Sequence, residues 1–232
     1  MAVISMARLD VFSPRKTEQM QVHIGKVVLF CEGVTEKNYF DYFATIINNN
    51  QNKYSHIEIR PLLSGGNAKT VFNYAEDYLS DDSNARELYL YDKYLVFDCD
   101  DPDNIEQVIL EMLKSSNNYK LLLSNLLFET WLLMHFEDID KPLRKVETYK
   151  KIAKELHLDK YESSEKAMPG IIPKIVGNGD NIRKAINNAK ELSSIYYAKG
   201  FNVEKDIENM NPYTSIHEFM EKLLIEMHKA NI

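Results

Sequence analysis

Asp98, Asp100 and Asp101 follow the apolar run Tyr94–Phe97, and Glu32 follows a second such run, Lys26–Cys31. Carboxylates just beyond two apolar runs are hard oxygen donors, the kind that suits Mg²⁺ or Mn²⁺ with several waters retained. Without a counter-charge such groups repel one another, so the set is unfavourable until a cation or a proton offsets it. Asp98 and Asp100, two apart in extended chain, point the same way, and Asp101 points elsewhere or sits in the turn. The chemistry in view is directed at phosphate: a metal held by Glu32, Asp98, Asp100 and Asp101 would stabilise charge on attacking and leaving oxygens. Glu32 serves as ligand or as general acid/base, and a metal-bridged carboxylate stays ionised, which favours the ligand role. A solvated acidic turn is the competing account, strongest for Asp101.

Other residues bear on the same chemistry. Ser64-Gly65-Gly66-Asn67-Ala68-Lys69-Thr70 follows a strand and opens a helix, the way phosphate cradles are built, and Lys69 would meet a substrate phosphate if that loop faces the site. It lacks the Gly-x4-Gly-Lys spacing of a nucleotide loop, and a turn capped by Asn67 explains it equally well. Glu36 is a first-turn acid favoured by the helix dipole, and could also support the site carboxylates from behind. Asn125 and Glu129 could support the carboxylates from behind, with Asn125 also able to cap the helix after it. Phe128, Trp131, Leu132 and His135 share one helical stripe, which reads as core. Arg144-Lys145 with Lys150-Lys151, and Arg183, Lys184 and Lys190, form two basic faces, either solvated or in contact with nucleic acid.

Four apolar runs can position these groups as strands: Lys26–Cys31, His56–Leu63, Tyr94–Phe97 and Lys120–Leu123. Helical spacing separates them, from Thr35, after Asn67 to about Leu79, from Asn104 to Lys114 and over Leu126–Phe136. Strands alternating with helices imply an α/β fold with a mostly parallel four-stranded sheet and right-handed crossovers. Ligands in such sheets gather beyond the carboxyl ends of the strands, where these acids lie. Residues 1–25 read as an N-terminal arm, 26–137 as the α/β domain, and 138–232 as a helical region packed on it. That last region has helices near 145–157, 180–198 and 214–230, a Pro/Gly/Ser-containing loop from Ser163 to Gly179, and no further strand.

Bulk properties narrow the function classes. The 232 residues are 44% hydrophobic and 27% charged, an ordinary globular balance. A net charge of −7 disfavours a simple basic-groove binder of nucleic acid, but not an enzyme that meets phosphate through a divalent metal and a local lysine patch. Cys31 and Cys99 sit in or at the end of apolar runs and read as core thiols. No signal stretch or membrane-length run is evident, which implies a cytoplasmic protein with no membrane partner.

The segment LFCEGVTEKNYF, then VFDCDD, SNLLFETWLLMHF and NPYTSIHEFMEKL, resembles in order the motifs of the RloB-like family, which is related to Toprim domains. In that resemblance Glu32 matches the Toprim glutamate, and Asp98 with Asp100 match its Asp-x-Asp. Leu126 stands where the family tends to have proline at a first helical position, and Lys174 is what remains of a Tyr-x-Lys pair that would contact substrate. The resemblance implies a Toprim-like (Rossmannoid) fold and a Mg²⁺- or Mn²⁺-dependent nuclease acting on DNA or RNA. It further implies a role in bacterial defence beside a partner ATPase of the ABC/AAA type. Two other classes stay open: a phosphatase or phosphotransferase with an Asp-x-Asp nucleophile, and a binding module whose acidic site is degenerate. The first normally places its Asp-x-Asp after the first strand, whereas here it follows the third.

Overall fold

The structure is a computed structural model. It describes residues 24–100, 102–161, 169–177 and 179–229, without the side chains of 102–104 and 229. Almost all of the expected N-terminal arm, residues 1–25, lies outside these, as does Asp101.

The first strand, β1 (Lys26–Cys31), is apolar on both sides because both of its faces are covered. Its alternation divides the core. Val27, Leu29 and Cys31 join a cluster with Tyr39, Phe40 and Phe43 of α1 (Val34–Asn48). Val28 and Phe30 join another with residues of α3 (Ala68–Ser80), reached through the single turn α2 (Gln51–Tyr54) and β2 (Glu58–Leu63). A short α4 (Asp82–Glu87), capped by Asp81, leads to β3 (Asp92–Asp98). The helix α5 (Pro102–Met112) returns the chain to β4 (Lys120–Asn125) on the same side of the sheet as α3. Helices therefore cover both faces of the sheet.

Strand order is β2-β1-β3-β4-β5, with the first four strands parallel. The chain leaves β1 for β2 on one side and then crosses back to β3 on the other. The carboxyl ends of β1 and β3 thus border the crevice at which open α/β sheets bind ligands.

The rest of the chain completes this sheet. After α6 (Phe128–Leu133) come α7 (Lys145–Glu155), α8 (Ile172–Val176), α9 (Asp180–Ala198) and α10 (Val203–Asp206). A two-residue strand, β5 (Tyr213–Thr214), precedes α11 (Ile216–Lys229). Three expectations are corrected here. The sheet has five strands, because β5 pairs antiparallel with β4 through Ser124↔Thr214 and Asn125↔Tyr213. Within the expected 163–179 loop, residues 169–176 are helical, since Ile171, Ile172, Ile175 and Val176 bury themselves in the core beside α1. The helix expected over Leu126–Phe136 spans only Phe128–Leu133 with Leu127 as its N-cap residue, so Leu126 lies before the helix and Asn125 does not cap it.

Cys31 and Cys99 are buried and free, as expected of core thiols. The stripe of Phe128, Trp131, Leu132 and His135 is buried throughout. Among the described residues no helix is long and apolar enough to cross a membrane.

Candidate acidic site at the strand ends

Hydrogen bonds carry the ladder just past the strand ends, with Glu32 N–H donating to the Val96 carbonyl (2.9 Å) and Cys99 N–H to that of Ser124 (2.9 Å). Glu32 and Asp98 are thereby held in neighbouring positions on the carboxyl edge. The Asp98 amide donates to Glu32 Oε2 at 3.1 Å. Asp98 Oδ1 in turn accepts from the Phe128 amide at 2.6 Å, filling one of the places left open at the start of α6, where the cap residue offers no side chain. Backbone groups therefore orient both carboxylates.

These groups open into a cavity of about 300 Å³. Among the described residues its acids are Glu32, Glu36, Asp98, Asp100 and Glu129, joined by Gly33, Thr35, Gly66 and Lys145. Glu36 and Glu129 are almost fully buried, at 4% and 1% exposure, whereas Asp100 is exposed at the mouth with Lys145 Nζ 3.9 Å from its Oδ2. Burial pushes the Asp98 carboxyl well above its ordinary range, reinforced by the charges of Glu36, Glu129 and Glu32 and opposed by the Phe128 amide. Two glycines let the backbone approach closely. A Cβ on Gly33 would stand 2.5 Å from Glu36 Oε2. Gly66 has φ +89°, and a Cβ there would stand 2.6 Å from Thr70 Cβ.

The structure thus brings Glu32, Asp98, Asp100, Glu36 and Glu129 to one place. Asn125 is turned away, its amide donating to the Ile207 carbonyl. Lys69 reaches across to Glu111 on α5 and does not line the cavity, while Asn67 caps α3 by accepting from Thr70 N–H at 3.1 Å. Lys174 lies exposed on α8, also away from the cavity lining. Sequence reasoning placed Lys145 only on a basic helix face; as the first residue of α7 it instead borders the cavity.

The donors suit a hard divalent cation in type, being carboxylates whose mutual repulsion a cation would relieve. They are not drawn into a ready-made cage: among the described residues no three His, Cys, Asp or Glu side chains are grouped closely enough to hold a metal ion. Asp101 lies outside this description.

Comparison with curated proteins and with solved structures finds no match. A family model does match, that of the RloB-like proteins, over residues 27–223. That span runs from β1 into α11 and takes in every acid of the cavity, so the chain belongs to the RloB-like protein family.

Proposed function

We propose that this chain is a divalent-metal-dependent nuclease that hydrolyses phosphodiester bonds in DNA or RNA. The observation that carries this reading is the convergence of five described carboxyl side chains on one cavity at the β1/β3 crevice, where burial and then the neighbouring acids make Asp98 resist ionisation. Evenly solvated surface acids would show no such strain. Glu32, Asp98 and Asp100, with Asp101 next in the chain, would hold Mg²⁺ or Mn²⁺. The metal would supply stabilisation of the charge on the phosphate oxygens. Glu32 and Asp98 are aimed by the amides of Asp98 and Phe128, so their placement does not depend on mobile partners. Glu36 and Glu129 add negative charge at the buried end, and Lys145 stands at the mouth to meet a substrate phosphate.

The resemblance to Toprim domains supports the same chemistry, and with it we propose a Toprim-like fold relationship, a role in bacterial defence and a partner ATPase of the ABC/AAA type. Cytoplasmic placement fits two free, buried thiols. A degenerate binding module is the alternative that one observation favours, namely the looseness of the acidic group.

Incubating plasmid DNA and total tRNA with Mg²⁺ or Mn²⁺ tests the proposal. Metal-dependent cutting by the wild type is expected, lost in both Glu32→Gln and Asp98→Asn. Cutting that survives both substitutions would retire these residues from the chemistry. Absence of both cutting and any metal-induced rise in Tm would favour the degenerate module.

A further inference from the structure

A second depression lies along the outer face of α7, with a volume of about 490 Å³. Its rim carries the exposed Lys150, Lys154 and Lys160, and its floor is formed by Ala153 and Tyr161, both buried. Tyr149, half-buried, also lines it, its ring 5.5 Å from that of Tyr161 and tilted by 72°. Asp159 is the one acid among the described lining residues. Lys150 and Lys154 give the α7 side of this groove a cationic edge, on a chain of net charge −7.

The groove adjoins the acidic cavity. Lys145 at the start of α7 borders that cavity, and the groove begins one residue later, at Val146. Tyr161 lies close to both. Its ring lines the groove, while its hydroxyl is buried close enough to Glu129 and Glu36 for their charges to add to burial in raising the phenol's pKa.

We propose that this groove is the track along which a single strand of nucleic acid reaches the acidic cavity. The proposal rests on the nuclease reading and adds to it the form of the substrate and its route. Lys150 and Lys154 stand one helical turn apart on one face, so they offer two successive positive charges to a phosphodiester backbone. Lys151, on the adjacent face, is engaged with Glu137 and does not line the groove. An aromatic ring in a groove that also carries lysines is how proteins hold unpaired bases, each of which offers a face for stacking, whereas a duplex keeps its bases inside. The acids repel the same backbone until a metal is bound, so the neighbouring basic track supplies the attraction that the cavity lacks.

The test is fluorescence anisotropy in EDTA, where cleavage does not interfere, using short labelled single strands of RNA and of DNA at several salt concentrations. Lys150→Gln with Lys154→Gln is compared with Arg183→Gln with Lys190→Gln, which removes the same charge from α9. The α7 pair is expected to bind about tenfold or more weakly, with a salt slope lower by roughly 0.7 per lost contact. The α9 pair should bind as wild type does, and Asp98→Asn at least as tightly as wild type. The RNA and DNA arms show which strand the track takes. Equal weakening by both pairs, unchanged binding by the α7 pair, or a duplex that competes as well as an unlabelled single strand would each overturn the track. Cleavage lost in Asp98→Asn while the α7 pair binds and cuts normally would remove the track and leave the nuclease reading standing.

Discussion

At the scale of single residues, the acidic cavity makes the metal-free protein less stable than it could be. Asp98 has its folded-state pKa raised, first by burial and then by Glu36, Glu129 and Glu32. A raised carboxyl contributes stability that is full below its unfolded value, near 3.9, and lost as pH rises through the folded value. At pH 7 in EDTA the Asp98 carboxyl is therefore a liability. Asp98→Asn should raise Tm there by a few degrees, given that about 1 kcal/mol is worth roughly 2–4 °C at this chain length. The gain should shrink toward pH 4, where the wild-type carboxyl is protonated too. Thermal melts at the two pH values check this, and a variant that melts lower than wild type at pH 7 would contradict the account of the site as mutually repelling. Glu32 and Asp98 were legible in the sequence because each sits at the end of an apolar run, and strand ends on a parallel sheet share an edge. Lys145 was not, because its position depends on where residues 137–144 carry the chain before α7, and no local pattern encodes that. Asn125 misled for a related reason: a residue before a helix reads as a cap, but here it ends β4 and ties it to Ile207.

At the scale of elements, α6 connects the site to the core. Its first amide holds Asp98, while Trp131 and His135 anchor its other end against α1. His135 Nδ1 lies 3.0 Å from the Trp131 carbonyl, which can only accept, so Nδ1 carries the proton and Nε2 accepts from the Tyr39 hydroxyl at 3.3 Å. Burial lowers the His135 pKa from 6.5 to about 4, against the opposing effect of the Trp131 and Leu132 carbonyls. A depressed histidine contributes stability that is present above its unfolded pKa and lost as pH falls through the folded one. The protein should therefore lose up to about 3 kcal/mol from this group between pH 6.5 and 4. His135→Gln, which stays neutral, should flatten that part of the pH–stability curve while lowering stability at pH 7. Urea melts across this range measure it, and an unchanged curve in the variant would show that His135 does not titrate on unfolding. The helical stripe in the sequence disclosed this burial, because the 3.6-residue period survives in a short helix. The period says nothing of length, and α6 proved shorter than its stripe.

At the scale of the whole molecule, the strand pattern ends at residue 125 but the sheet does not. Two residues in a stretch containing Asn211-Pro212 are too few to show alternation, so β5 left no periodic signal. What places it is β4, which would otherwise present an unpaired edge. The Leu123 amide donates to Ser215 Oγ at 2.9 Å, and the Ser215 amide to the Leu123 carbonyl at 2.9 Å, so the last strand of the α/β half is bonded to a residue 92 positions later. Burial follows the same route. Phe219 of α11 packs its ring 5.6 Å from that of Phe40 and 5.2 Å from that of Tyr94, and one core cluster takes residues from β1, α1, α6, α8, α9 and α11. Cutting the chain after residue 137 would uncover Phe40 and Tyr94 together with the edge of β4, and each large apolar side chain exposed forfeits roughly 1.5–3 kcal/mol. A few such losses consume the 5–15 kcal/mol that a domain typically has. A fragment of residues 24–137 should therefore lack a cooperative thermal transition and bind a hydrophobic dye, while the intact chain melts in one step. Calorimetry on the two proteins decides it. A fragment with its own sharp transition would mean that the α/β half folds alone and that residues beyond 137 are an accessory to it.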